Sequence, residues 1–199
     1  MAHPEILLAR HGETEWSATL RHTGRTDVPL TDAGRSQARL LGERLRGRVI
    51  SRVLTSPLQR AAETCRLAGL GGRAELRPEL MEWDYGEYEG LTTVEIRKTV
   101  PGWTVWTHPT PGGETAAQVG DRVDQVVEDL TTLEGDAAVF AHGHLLRVLA
   151  ARWIGLEAEH GALLALSTAT LGSLGWERER RVVKLWNDGS HLKSLDAGR

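Results

Sequence analysis

Residues 5–12 read Glu5-Ile6-Leu7-Leu8-Ala9-Arg10-His11-Gly12: four consecutive apolar side chains, then a cation, an imidazole and a glycine. A short apolar run without polar alternation is the pattern of a strand covered on both faces. Two further segments share it: Ser51–Thr55 contains Val53-Leu54, and Ala137-Ala138-Val139-Phe140-Ala141 is apolar throughout. Between them apolar residues recur on one helical face: Ala38, Leu41 and Leu45; Leu58, Ala61, Ala62 and Cys65; Val119, Val123, Val126, Val127 and Leu130. Another helix starts near Gly143 and carries Leu145, Leu149 and Trp153. Leu171–Trp176 and Arg181–Trp186 read as two late strands joined by the charged turn Glu177–Arg180. Strands alternating with one-sided helices predict an α/β fold, a three-layer α/β/α sandwich around a mostly parallel sheet.

Composition bounds the function. The 199 residues, 40% hydrophobic and 26% charged, support one globular domain spanning residues 1–199, with a core that needs neither metal nor disulfide. The single cysteine, Cys65, falls in an apolar stripe and reads as core filler, which fits a reducing cytoplasm. Met1–Arg10 has no cationic segment leading into a long apolar stretch, and no apolar run reaches bilayer length, so a soluble, cytoplasmic protein without a membrane partner is expected. A formal net charge of −3 argues against nucleic acid as partner, because that requires a basic face. The apolar residues of the late strands leave a homodimer edge open as an expectation.

In an open parallel sheet, ligands bind outside the carboxyl ends of the strands. The first strand run is followed by Arg10-His11-Gly12-Glu13, the second by Ser56-Pro57-Leu58-Gln59-Arg60, the third by His142-Gly143-His144. Three strand ends thus deliver cations and imidazoles to one edge of an acidic chain, which builds a local anion pocket. Phosphoryl transfer needs such parts: a nucleophile, donors on the equatorial oxygens, and an acid for the leaving oxygen. A neutral imidazole can attack phosphorus and form a phosphohistidine that water later hydrolyses. An arginine fork can hold two phosphate oxygens, and Gly12 would let backbone amides approach the anion. A lone Arg-His-Gly triplet is far more often a loop coincidence than a catalytic motif. His142 and His144 suggest a metal pair, but no carboxylate or cysteine stands at ligand spacing around them, so no metal is expected. Glu79, Glu82, Asp84, Glu87 and Glu89 are all candidates for the acid, and spacing does not choose among them.

Several ordered motifs narrow this. Leu8-Ala-Arg-His-Gly-Glu-Thr-Glu-Trp16, continuing through Thr23-Gly-Arg-Thr-Asp-Val-Pro-Leu-Thr-Asp-Ala-Gly34, closely resembles the histidine phosphatase superfamily, in its phosphoglycerate-mutase-like branch. Thr55–Thr64, Leu80–Gly90, Pro111–Thr115 and Ala141–His144 follow in that family's order, so the resemblance spans residue 5 to about 154. It implies a phosphoglycerate-mutase-like fold, with His11 as the phosphorylated nucleophile. Arg10, Arg60 and His142 become ligands of the transferring phosphoryl group. Glu82 becomes the proton donor, its protonated form favoured by apolar Trp83 or by the substrate dianion. Ser17, Thr23, the Gly24 amide and Gly143 match positions near the phosphate or the substrate. His144 departs from the mutase pattern, where asparagine is common, and its role is open.

The same resemblance separates phosphatase from mutase. Mutases carry a longer insertion and adjacent arginines after a tryptophan; here Trp106 is followed by Thr107-His108, and Gly90 is joined to Pro111 by a short connection. Arg97-Lys98 would have to turn inward to compensate. The expectation is a metal-independent phosphomonoester hydrolase with no cofactor, acting through a phosphohistidine on small phosphorylated metabolites such as sugar phosphates. A cofactor-dependent phosphoglycerate mutase is the alternative, and a catalytically silent phosphate-binding module is the alternative of another class. Against the silent module, His11, Arg60, Glu82 and His142 are all present. A nucleotide switch lacks a P-loop pattern. Trp83, Trp103 and Trp106 are candidates for an apolar wall beside the substrate.

Overall fold

The structure, a computed structural model, describes residues 3–193. Its regular elements are β1 (Ile6–Arg10), α1 (Glu15–Ala18), α2 (Asp32–Leu45), β2 (Arg52–Thr55), α3 (Gln59–Leu67), β3 (Ala74–Leu76), α4 (Thr93–Ile96), α5 (Ala116–Thr131), β4 (Ala137–Ala141), α6 (Gly143–Trp153), β5 (Leu171–Glu177) and β6 (Arg180–Asp188). The six strands form one sheet in the order β3-β2-β4-β1-β5-β6. β1, β2, β3 and β4 run parallel, while β5 and β6 are antiparallel additions beside β1. Short β3 and the single-turn helices α1 and α4 carry too few apolar residues for a periodic signal, which is why the sequence pattern passes over them.

The pleat sends alternate side chains of the central strands to opposite faces. Ile6, Leu8 and Val139 pack with α5 and α6 residues such as Val123, Leu149 and Trp153. Leu7, Ala9 and Phe140 pack with Leu41 and Leu45 of α2 and Cys65 of α3. Both faces are therefore dry, and the expected sandwich and mostly parallel sheet are present. Cys65 is fully buried, and burial pushes its thiol up to about 12, as expected of core filler.

Strand register builds the edge where chemistry can occur. Arg10 pairs with Ala141 and Thr55 with Phe140, so β1, β4 and β2 end level with one another. The ladder runs one step further: the His11 amide donates to the Ala141 carbonyl at 3.0 Å, and the Ser56 amide to the Phe140 carbonyl at 3.0 Å. His11, Ser56 and His142 are thereby fixed side by side. The turn after β1 also depends on a glycine pair. A Cβ on Gly12 would sit 2.4 Å from the Gly34 carbonyl oxygen, and one on Gly34 would sit 2.1 Å from the Glu13 carbonyl oxygen, so α2 seats its first turn directly on the loop.

Candidate active site

The carboxyl ends of β1, β2 and β4 open into a cleft of about 320 Å³. His11, Arg10, Glu82, Ser17, Thr23 and Gly143 all line it, from six of the positions singled out in the sequence. His11 is 4% exposed. Its Nδ1 lies 2.7 Å from the Gly12 carbonyl oxygen, and since a carbonyl only accepts, Nδ1 carries the hydrogen. Nε2 therefore holds the free lone pair. Burial, followed by the charges of Arg10 and Arg60, holds the His11 imidazole well below its ordinary pKa, which keeps that lone pair unprotonated at neutral pH.

His142 is fully buried at the N-cap of α6, its ring centroid 5.3 Å from that of His11. Its Nε2 lies 2.8 Å from the Ser56 hydroxyl oxygen, while its Nδ1 has no hydrogen-bond partner. Ser56 Oγ also accepts the Leu58 amide at 3.3 Å. With the Ser56 hydroxyl donating to His142 Nε2, the His142 hydrogen would sit on Nδ1. Burial and then the Arg60 charge keep this ring too well below its ordinary pKa.

The two arginines are held differently. Arg10 Nη1 donates to the Leu166 carbonyl at 2.5 Å, and its guanidinium passes Gly143 so closely that a Cβ there would lie 3.2 Å from Arg10 Cζ. Arg60 is fully buried: Nη1 donates to the Thr26 carbonyl at 3.0 Å, Nη2 to those of Thr23 at 3.0 Å and Gly24 at 2.8 Å. Much of its fork is thus committed to the loop at 23–26. In both residues Nε is buried without a protein acceptor. Buried donors left unpaired are costly and uncommon. Here Arg10 Nε, Arg60 Nε and His142 Nδ1 belong to three residues grouped with His11; of the three, Arg10 lines the cleft, while Arg60 and His142 lie behind its wall.

Glu82, 4% exposed, closes the other side. Oε1 accepts the amides of Trp83 at 3.0 Å and Leu145 at 2.9 Å, and Oε2 accepts that of His144 at 3.0 Å. The carboxylate thus caps α6, whose N-cap residue His142 makes no side-chain cap of its own. Its setting is polar backbone, not the apolar face of Trp83: the indole Nε1 donates away, to the Glu114 carbonyl at 2.8 Å. The segment carrying Glu82 is itself clamped by Arg122, which donates to the carbonyls of Glu79, Met81 and Glu82 at 2.7, 2.7 and 3.2 Å.

Several expectations are corrected. The Gly12 amide faces protein, donating to Thr64 Oγ1 at 3.0 Å, and the glycine is required by the packing of α2. Gly24 does not line the cleft; a Cβ there would meet Glu89 Oε1 at 2.1 Å and the Trp83 carbonyl oxygen at 2.4 Å, and its carbonyl supports Arg60. Ser17 lines the cleft but also closes the capping box of α1, accepting the Thr14 amide at 2.9 Å. Trp83 and Trp103 are buried in the core, and neither they nor Trp106 line the cleft. Arg97 is turned onto the Trp103 carbonyl at 2.8 Å, and neither it nor Lys98 reaches the cleft.

The cleft also contains groups that the motifs did not assign: Leu20, Arg21, His22, Tyr85, Thr93, His144, Arg147 and Leu166. The Tyr85 hydroxyl lies 2.5 Å from His144 Nδ1. Burial, then the charge of Glu82, raises the Tyr85 phenol well above its ordinary pKa, so Tyr85 donates and the His144 hydrogen is on Nε2. Burial lowers His22 to about 4. Ser56 and Arg147 stood within the ordered motifs or one helical turn beyond them; partnership with His142 was the missing signal for the first, and a shared helix face with His144 for the second.

The sequence model of the "Histidine phosphatase superfamily (branch 1)" matches residues 6–189. An acid phosphatase of Mycobacterium tuberculosis is 43% identical over 199 residues, covering 97% of each chain. The sedoheptulose 1,7-bisphosphatase of Saccharomyces cerevisiae is 37% identical, covering 77% of this chain and 68% of its own. The solved structure of a Mycobacterium tuberculosis open reading frame superposes with a TM-score of 0.88 at 43% identity, over 92% of this chain and 97% of that one. With its register-built row of His11, Ser56 and His142 and a family match running from β1 through β6, the chain belongs to branch 1 of the histidine phosphatase superfamily.

Proposed function

We propose that this protein is a metal-independent phosphomonoester hydrolase that works through a phosphohistidine on small phosphorylated metabolites, sugar phosphates among them, as a single domain of residues 1–199. The observation that carries the reading is the tautomer of His11: Nδ1 bound to the Gly12 carbonyl, Nε2 unprotonated and buried beside two arginines. Nε2 attacks phosphorus and the bond to the leaving oxygen breaks, while Arg10, Arg60 and His142 Nδ1–H bind the equatorial oxygens. Glu82 donates a proton to the leaving oxygen, then takes one from the water that attacks the phosphohistidine, which returns His11 and releases phosphate. Ser17, Thr23 and Gly143 border the bound group, with Gly143 giving the Arg10 guanidinium room to approach. The relatives named acid phosphatase and sedoheptulose 1,7-bisphosphatase support hydrolysis of phosphorylated small molecules over mutase chemistry, and the outward placement of Arg97 and Lys98 agrees with that choice.

No helix among the described residues is long and apolar enough to cross a membrane, and no group of three or more His, Cys, Asp or Glu there is arranged to hold a metal ion. The test is release of phosphate from p-nitrophenyl phosphate by the purified protein, with and without chelator, together with trapping of labelled phosphate on protein. Hydrolysis that survives chelator and an acid-labile, base-stable phosphoenzyme lost in His11→Ala are expected. Abolition by chelator, or label retained in His11→Ala, would overturn the mechanism.

A further inference from the structure

The last strand, β6, is irregular where it meets the start of β5, beside the carboxyl end of β1, since Leu171 of β5 pairs with Ala9. Leu171 also pairs with Asp188, and Ser173 with Leu185, so β5 has one residue, Gly172, where β6 has two, Trp186 and Asn187. Such a β-bulge re-aims side chains on an edge strand. Asn187 has φ of 55°, a left-handed backbone that asparagine tolerates better than most residues. Its side chain is turned onto the segment that leads into β5: Oδ1 accepts the Ser167 amide at 2.8 Å, and the neighbouring Trp186 Nε1 donates to the Ala165 carbonyl at 2.6 Å.

The peptide group between Leu166 and Ser167 is therefore shared. Its N–H meets Asn187 Oδ1, and its carbonyl accepts Arg10 Nη1 at 2.5 Å. No cis peptide bond occurs among the described residues, and in a planar trans peptide the N–H and C=O point in opposite directions. Fixing the N–H thus fixes where the carbonyl points. A hydrogen bond at one end of the group also polarises the other, which strengthens the contact with Arg10. Among the described residues no other protein acceptor holds the Arg10 guanidinium, whose Nε is buried without a partner. Further bonds brace the same segment: Thr170 Oγ1 donates to the Ser167 carbonyl at 2.8 Å, the Ala169 amide to the His11 carbonyl at 3.0 Å, and His191 Nε2 to the Ala169 carbonyl at 2.9 Å. None of them reaches the Leu166–Ser167 peptide.

We propose that Asn187 is a positioning residue for the reaction: by orienting the Leu166–Ser167 peptide it aims the Arg10 guanidinium at the phosphoryl group beside His11. Asn187 itself does not line the cleft. The inference rests on the hydrolase reading above and places a support for its chemistry in the last strand, 177 positions from Arg10 by residue number.

The experiment compares Asn187→Gly, which keeps the left-handed backbone but removes the carboxamide, with Asn187→Asp, which keeps an acceptor oxygen. Each is measured for kcat on p-nitrophenyl phosphate, for inhibition by orthovanadate, an oxyanion that adopts the five-coordinate geometry of phosphoryl transfer, and for melting midpoint. In Asn187→Gly kcat falls roughly tenfold or more and vanadate inhibition weakens by a similar factor, the effect of a cation misplaced by up to about 1 Å. Asn187→Asp, with its charge-assisted acceptor, restores both. In an Arg10→Lys background, where the guanidinium fork is already gone, adding Asn187→Gly lowers kcat little further. A lower melting midpoint with wild-type kcat and vanadate inhibition would make the bond a purely structural tie and overturn the proposal. Equal losses in Asn187→Asp and Asn187→Gly, or full additivity with Arg10→Lys, would overturn it too. If Asn187→Gly does not fold, Asn187→Ser decides: its hydroxyl stops one bond short of the Ser167 amide, the same losses are expected, and wild-type values overturn the proposal. A wild-type protein that hydrolyses nothing, yet binds orthovanadate more tightly than Asn187→Gly does, would count against the hydrolase reading and not against the placement of Arg10.

Discussion

Replacing Arg122 by methionine removes a guanidinium with five short contacts: three to the carbonyls of Glu79, Met81 and Glu82, and two to the carboxylate of Glu114, at 2.7 and 3.0 Å. The pair is well shielded, with 14% of the Arg122 side chain and 18% of the Glu114 side chain exposed. Breaking a buried pair from one side costs about 3–5 kcal/mol, because the remaining charge and the abandoned carbonyls stay desolvated. For a domain of this length each kcal/mol moves the melting midpoint by roughly 2–4 °C, so Arg122→Met is expected to melt about 6–20 °C lower. Methionine conserves much of the apolar stem, which separates this loss from that of a cavity. The activity of the folded variant reports on the site, because the same contacts hold the segment carrying Glu82 against α5, and the Glu82 carboxylate in turn meets the start of α6. A shift of that carboxylate of about 1 Å is enough to cost up to 100-fold in rate, and the loss falls mainly on substrates with poor leaving groups. Tryptophan fluorescence during thermal denaturation, with kcat measured well below the midpoint on an alkyl and an aryl phosphate, gives both numbers. A midpoint within 2 °C of wild type and an unchanged alkyl-to-aryl ratio would show that Arg122 does not hold Glu82 in place.

Glu82→Gln keeps one of the two acceptor oxygens that cap α6 and lacks the transferable proton, so alkyl phosphates should lose far more kcat than p-nitrophenyl phosphate; equal losses would remove Glu82 from the donor role. Ser56→Ala strips His142 Nε2 of its partner at 2.8 Å, and we expect about 1–3 kcal/mol of lost stability with roughly tenfold lower kcat, measured by urea melts and steady-state kinetics. A wild-type kcat in Ser56→Ala would show that His142 is oriented by other contacts. Stability should also fall on acidification. His11, His22, His142 and His144 all have folded pKa values below the ordinary 6.5, His22 at about 4, so the unfolded chain binds more protons as pH drops through that range. The melting midpoint is thus expected to decline from pH 7 toward pH 4. A flat midpoint over that interval would contradict the burial of these rings.

The family link also changes what the glycines mean. Gly12 stood in the sequence as a residue that lets an anion approach backbone amides, yet its amide is bound to Thr64 and its missing side chain admits α2. Gly143 is the one whose bareness matters to the cleft, because it leaves Arg10 room to cross the helix terminus. Both requirements come from close approach in space, not from an unusual backbone angle.

By itself the sequence determined the central sheet and the main helices, because a dry strand must be apolar on both faces and an amphipathic helix must repeat its apolar positions. It also showed the family, and through it pointed to His11 and its partners in the proposed mechanism, since an ordered set of motifs carries more information than any one of them. The ends of β1, β2 and β4 were legible as a cationic edge for the same reason. Only the tertiary structure decided which ring nitrogen of His11 is free, since that depends on a 2.7 Å contact with its own neighbour's carbonyl. Likewise the pairing of Ser56 with His142, the capping of α6 by Glu82 and the stacking of Arg147 on Trp106 join residues far apart in the chain. Periodicity records which face of an element is buried; it does not record which polar atom meets which, and the chemistry of this cleft is decided by those meetings.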